Sequence, residues 1–99
     1  KGGNTHTDES APSAPTSLAW DNAINTLSWS GDGTNDVYDL QVSTVSNFAS
    51  TEVNETEWSA TSYVYGTPPA NGTYYARVRQ YGTNGLRSAY SSTLTFTKS

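Results

Sequence analysis

From residue 16 onward, large apolar residues recur at every second position in short runs, and the runs are separated by Gly, Asn, Asp and Pro. Alternation of this kind belongs to strands that bury one face, and no stretch carries the periodicity of an amphipathic helix. Leu18 and Trp20 share a face of a first strand, Leu27 and Trp29 of a second, and Tyr38, Leu40 and Val42 of a third. "DNAIN" and "GDGTND" supply the turns between them, the latter with two glycines able to take positive φ.

The middle of the chain is less regular. Phe48 is expected to fold back onto the core, Val53 to begin a short strand, and Tyr63 and Tyr65 to alternate in the next one. "TPPANG" must be a loop, because adjacent prolines remove ladder donors and fix φ. In the strand beyond it, Tyr74, Ala76, Val78 and Gln80 lie on one face and Tyr75, Arg77, Arg79 and Tyr81 on the other. Only the first set is apolar enough to face a core. After a turn at "GTNGLRS", Leu94 and Phe96 alternate with threonines in a last strand. Seven strands at a spacing of about 8 to 14 residues predict an all-β, seven-stranded antiparallel sandwich of immunoglobulin-like type. Its core is built on Leu18, Trp29, Tyr38, Leu40, Tyr74, Val78 and Phe96.

Pro15 with Leu18, "LSW" ending in Trp29, Tyr38, and Tyr74 opening the sixth strand together resemble a fibronectin type III domain over about residues 12 to 97. "YDLQVSTVSNF", "TSYVYG", "GTYYARVRQYG" and "LRSAYSS" are similar to the variant found in modular secreted and surface proteins of bacteria. The resemblance implies that Trp29 fills the centre of the core and that Tyr74 forms a tyrosine corner, its hydroxyl reaching back to nearby backbone. Three positions depart from the pattern: Pro68 where Leu is usual before the corner, Ala76 where a large aromatic is frequent, and Gln80 where a small apolar residue is usual. The Arg-Gly-Asp tripeptide of integrin ligands is absent.

With 99 residues, the chain is the size of one domain. Residues 1–14 have almost no large apolar side chains and read as a disordered linker or tail, leaving 15–99 as the sandwich. The absence of cysteine removes disulfides, thiolate nucleophiles and thiolate metal sites, so tyrosine and tryptophan rings must hold the core. A net charge of −4 argues against nucleic acid and anionic membranes, both of which select for Lys and Arg. No apolar run is long enough for membrane insertion. The few charges and abundant Ser, Thr and Asn suit a monomer outside the cell, either secreted or on the surface.

Catalytic constellations are hard to assemble. A Ser-His-Asp arrangement or a histidine metal site has only His6 to draw on, and that lies in the tail. Glu52, Glu55 and Glu57 are close together in sequence, as are Asp32 and Asp36, but a small sandwich offers little cleft in which one acid could be desolvated for glycoside chemistry. "DGTND", with Asp32 and Asp36, has calcium-type ligands but too few of them, and reads as a tight connection. Asn54 and Asn71 head N-glycosylation sequons. No catalytic residue, metal or cofactor is expected.

The outward row Tyr75, Arg77, Arg79 and Tyr81 remains as the candidate binding site, running about 20 Å along the strand. Rings can stack on sugars and guanidinium groups can fork onto hydroxyls or carboxylates. The competing expectation pairs these side chains with Asp39 and Gln41 of the third strand as ordinary sheet-surface contacts. Trp58 is expected at the core edge. The chain therefore reads as a non-catalytic module spacing the neighbouring domains of a larger protein, and alternatively as a polysaccharide-binding module using the Tyr and Arg row.

Overall fold

A computed structural model describes residues 12–31, 37–67, 69–81 and 85–99. The Asp32 to Asp36 turn, His6 and Pro68 lie outside the described residues. Seven strands form: β1 (Thr16–Asp21), β2 (Thr26–Ser30), β3 (Val37–Ser43), β4 (Val53–Trp58), β5 (Ser62–Val64), β6 (Gly72–Tyr81) and β7 (Leu94–Lys98). They pair antiparallel into a three-stranded sheet ordered β1-β2-β5 and a four-stranded sheet ordered β4-β3-β6-β7. This is the sandwich that the period-two pattern predicts.

The core lies between the sheets. Leu27, Trp29, Tyr38, Leu40, Val42, Val53, Tyr74, Ala76, Val78 and Phe96 are buried, while Leu18, Trp20, Trp58, Tyr63, Tyr65 and Leu94 pack against them from the rim. The rings meet mostly edge-on or offset, as their quadrupoles favour: Trp29 stands T-shaped on Tyr38 at 5.6 Å, and Trp20 stacks on Phe96 at 4.5 Å. Trp58 sits at the core edge, where its Nε1 donates to the Ser62 carbonyl at 2.9 Å. Gln80 is buried as well, and its Nε2 donates to the carbonyl of Ser13, which ties the segment before β1 to the core. The Tyr74 hydroxyl donates to the Ala70 carbonyl at 2.6 Å, closing the corner across the start of β6.

Two edge strands are interrupted by residues with positive φ. Ser17 (φ 62) sits in the register shift between Thr16 and Ala19 of β1, and Glu57 (φ 54) disturbs the end of β4 opposite Tyr38 and Leu40. Such bulges leave backbone groups unpaired and re-aim them. Asn22 Nδ2 donates to the Ser99 carbonyl at 3.1 Å, and Ser99 N–H to Asn22 Oδ1 at 3.2 Å. The end of β7 is thereby fixed beside the end of β1, so the chain enters the sandwich at one pole and leaves at the other.

Phe48 departs from expectation. Its N–H donates to the Val45 carbonyl at 3.1 Å in a tight turn, and with φ 57 its ring leaves the core and lies over the outer face of the large sheet.

Candidate functional site: an arginine and aromatic ladder

Strand β6 lies inside the large sheet, so both its edges are occupied and only its outer face is available. The β3 to β6 register sets Asp39 opposite Arg79 and Gln41 opposite Arg77. These Cα partners turn the same face outward, and their side chains join: Arg79 Nε donates to Asp39 Oδ2 at 2.9 Å, and Arg77 Nε to Gln41 Oε1 at 2.8 Å. A third arginine, Arg87, donates from Nε to the same Asp39 Oδ2 at 2.6 Å. The β4 bulge frees the Glu57 N–H to donate to Asp39 Oδ1 at 3.2 Å.

Alternation turns Asp39 to the outer face, yet it is only 2% exposed because the two arginines and β4 close over it. Burial by itself would push its carboxyl up. The hydrogen bonds from Arg79, Arg87 and the Glu57 amide outweigh that penalty and hold the group below its ordinary value of 3.8. Arg87 is shifted further up by its hydrogen bond to Asp39.

Aromatic rings fill the gaps between the cations. Arg77 packs on Phe48 and Tyr90, with its Cζ 4.2 and 4.1 Å from the two ring centroids. Tyr90 also faces Arg79 at 4.6 Å, and Tyr81 carries Arg87 at 4.1 Å. For Phe48 to reach its place, the backbone adopts a left-handed conformation that costs a bulky residue about 1 kcal/mol. Tyr90 arrives by a bulge. Ser88 N–H and Ser91 N–H donate to the carbonyls of Gln80 and Val78, so three steps along this segment oppose two along β6. The Ser88 and Ser91 hydroxyls accept from the N–H groups of Gln80 and Val78 at 2.8 and 3.1 Å. Two side chains thus stand where a strand would present carbonyls.

The four residues of the proposed row therefore have different fates. Arg79 is bound to the buried carboxylate, and Tyr81 is covered by Arg87. Arg77 has a neutral partner in Gln41 and no carboxylate within ion-pair reach among the described residues. Tyr75, opposite Ser43 and Thr95, is half-buried, and its hydroxyl bonds to no described residue. Phe48, Arg87 and Tyr90 belong to the site as well, although alternation along β6 could not point to them.

Elsewhere the chemistry is sparse. Among the described residues no group of three or more His, Cys, Asp or Glu side chains is placed to hold a metal ion. A depression of about 320 Å³ is lined by Pro15–Leu18 and Ser91–Leu94, and another of about 390 Å³ by Tyr38 and residues 59–62. Neither contains an acid or an imidazole. Asn54, in β4, and Asn71, just before β6, are exposed.

No protein-family model and no curated protein sequence matches the chain. Solved structures do. A Fn3-like protein from Clostridium thermocellum superposes with a TM-score of 0.66 at 25% identity, over 87% of this chain and 92% of that one. The chain thus has the fold of a fibronectin type III domain. The fibronectin type III domain of human fibronectin type III domain containing protein 3 gives 0.68 at 23% identity, over 90% and 87% of the two chains. The glycoside hydrolase domain structure of Endo-D from Streptococcus pneumoniae gives 0.59 at 22% identity, over 89% of this chain and 15% of that one. Within this fold, Trp29 and Tyr74 take the core and corner places that the resemblance implies.

Proposed function

We propose that this fibronectin type III domain is a non-catalytic positioning module of a larger secreted or cell-surface protein. The observation that carries this reading is the exit of the chain at opposite poles of a sandwich whose outer-face charges are largely neutralised from within. Such a body separates its N-terminal neighbour from its C-terminal one by the length of its strands, about 30 Å for β6. The match within the Endo-D structure, where a region of this fold makes up a small part of a much longer chain, supports the same role. No acid or imidazole lines either depression, which favours the non-catalytic reading.

The test places residues 15–99 between two fluorescent reporter proteins and measures energy transfer between single pairs. A narrow distance distribution, longer than that of a Gly/Ser linker of equal length and insensitive to salt, is expected. A distribution matching the flexible linker would exclude a positioning role.

A second reading, carbohydrate binding, is favoured by one observation: Tyr75 and Arg77 retain open chemistry after the rest of the row is paired. It is compatible with a positioning role, since a spacer can also hold its neighbours against a polysaccharide.

A further inference from the structure

Three of the chain's five basic residues, Arg77, Arg79 and Arg87, lie on the outer face of the large sheet. Against them stand Asp39, which binds Arg79 and Arg87, and Glu57, close enough to act on Arg87. Among the described residues one cation is left in excess, and it is Arg77. On a chain of net charge −4, this is a local reversal of sign.

Arg77 is also fixed in shape. The Phe48 and Tyr90 rings both pack on its guanidinium, about 4 Å from Cζ, and Gln41 engages Nε. The Nη N–H groups at the edge of the plane remain, and these are the donors that fork onto a planar carboxylate. Stacking has already restricted the rotamers that a free arginine would have to fix on binding. Tyr75 stands two residues away on the same face, about 6.6 Å along the strand, and offers a partly open ring.

The backbone around this pair is closed. Strand β3 occupies one edge of β6, and β7 with the Ser88 and Ser91 hydroxyls occupies the other. A peptide cannot add a strand here, and recognition must pass through a ring and a cation alone. The ligand class that alternates apolar ring faces with carboxylates along a straight chain is a uronic acid polysaccharide.

We propose that the outer face of the large sheet binds an acidic polysaccharide, with Arg77 forking onto a uronate carboxylate and Tyr75 stacking on the adjoining sugar. Phe48, Tyr90 and Gln41 hold the guanidinium, and Asp39 keeps Arg79 and Arg87 from competing for the carboxylate. The inference rests on the carbohydrate reading and narrows it to one class.

Affinity electrophoresis at neutral pH tests it, in gels containing polygalacturonate, the same polymer fully methyl-esterified, or poly-glutamate. Retardation by polygalacturonate alone is expected. It should weaken roughly tenfold in Arg77→Gln, the loss expected for a charge-assisted hydrogen bond, and also in Tyr75→Ala, while Tyr81→Ala migrates like wild type. Equal retardation by the esterified polymer would overturn carboxylate recognition but leave carbohydrate binding standing, whereas no retardation by either sugar polymer would remove both. Equal retardation by poly-glutamate would reduce the face to an unspecific polyanion contact and overturn the assignment. Because Arg77→Gln could loosen the Phe48 and Tyr90 segments, the wild-type protein supplies an independent readout: the Arg77 Nε–Hε resonance must shift on titration with digalacturonate. Shifts confined to other faces refute the site.

Discussion

Asp39 and Arg87 are 48 positions apart in sequence, yet the Arg87 Nε meets the Asp39 carboxylate at 2.6 Å. Arg79 reaches the same oxygen. One buried acid therefore fastens β3 to β6 and to the segment that precedes β7.

Because the folded domain holds the Asp39 carboxyl below its ordinary value, the unfolded chain takes up this proton more readily. The associated stability is present above about pH 4 and is lost as pH falls through the lowered value. Melting followed between pH 5 and 2 should show a falling midpoint. In Asp39→Asn the midpoint at pH 7 should already be lower, by about 2 kcal/mol of stability, and should respond less to acid. The cost stays moderate because Arg79 and Arg87 side chains are about a third exposed and can return to water. An unchanged acid dependence in the variant would assign the acid loss to other groups.

Tyr65 gives the opposite limb. Burial, helped by Tyr63, Tyr74 and Glu52, raises its hydroxyl to about 12. Here the folded domain keeps a proton that the unfolded chain releases near pH 10. Stability should therefore fall as pH rises from about 10 towards 12. Absorbance titration at high pH should show a late tyrosine that disappears in Tyr65→Phe.

The corner bond isolates a single interaction. Tyr74→Phe keeps the ring against Phe96, 5.4 Å away and nearly parallel, and removes only the hydroxyl bonded to Ala70. A loss of about 1 kcal/mol is expected in chemical denaturation, with an unchanged denaturant slope.

Gly31 follows β2 and lies against Tyr38. A Cβ at Gly31 would collide with the Tyr38 hydroxyl and stand 2.9 Å from its Cζ. Tyr38 is 2% exposed and packed against Trp29, so it has little room to yield. Gly31→Ala should cost about 1 to 3 kcal/mol, the usual effect of overpacking. A thermal midpoint equal to wild type would show that Tyr38 can move.

How far the sequence revealed this molecule depended on where alternation holds. Along β3 and β6 it is unbroken, so Tyr38, Leu40, Tyr74 and Val78 could be placed in the core and Arg77 and Arg79 on the outside. Buried Gln80 follows the same parity although its chemistry argues the other way, and its amide is satisfied by Ser13. Alternation fails at bulges. Counting outward from Arg87 in steps of two turns Tyr90 inward, but the extra residue between Ser88 and Ser91 reverses the parity and sends the ring over Arg77. Phe48 escaped for a related reason. Its hydrophobicity points to the core, whereas its left-handed backbone and the cation beneath it decide otherwise. Three residues of the site, Phe48, Arg87 and Tyr90, thus come from irregular segments, where side-chain direction is set by hydrogen bonds rather than by period.

The anchoring of Ser99 beside Asn22 has a mechanical consequence. Tension applied between the two poles pulls β1 along β2 and β7 along β6, so the strand pairs slide under load instead of opening one bond at a time. Several ladder hydrogen bonds must then break together in each sheet, and the domain resists stretching better than its modest size implies.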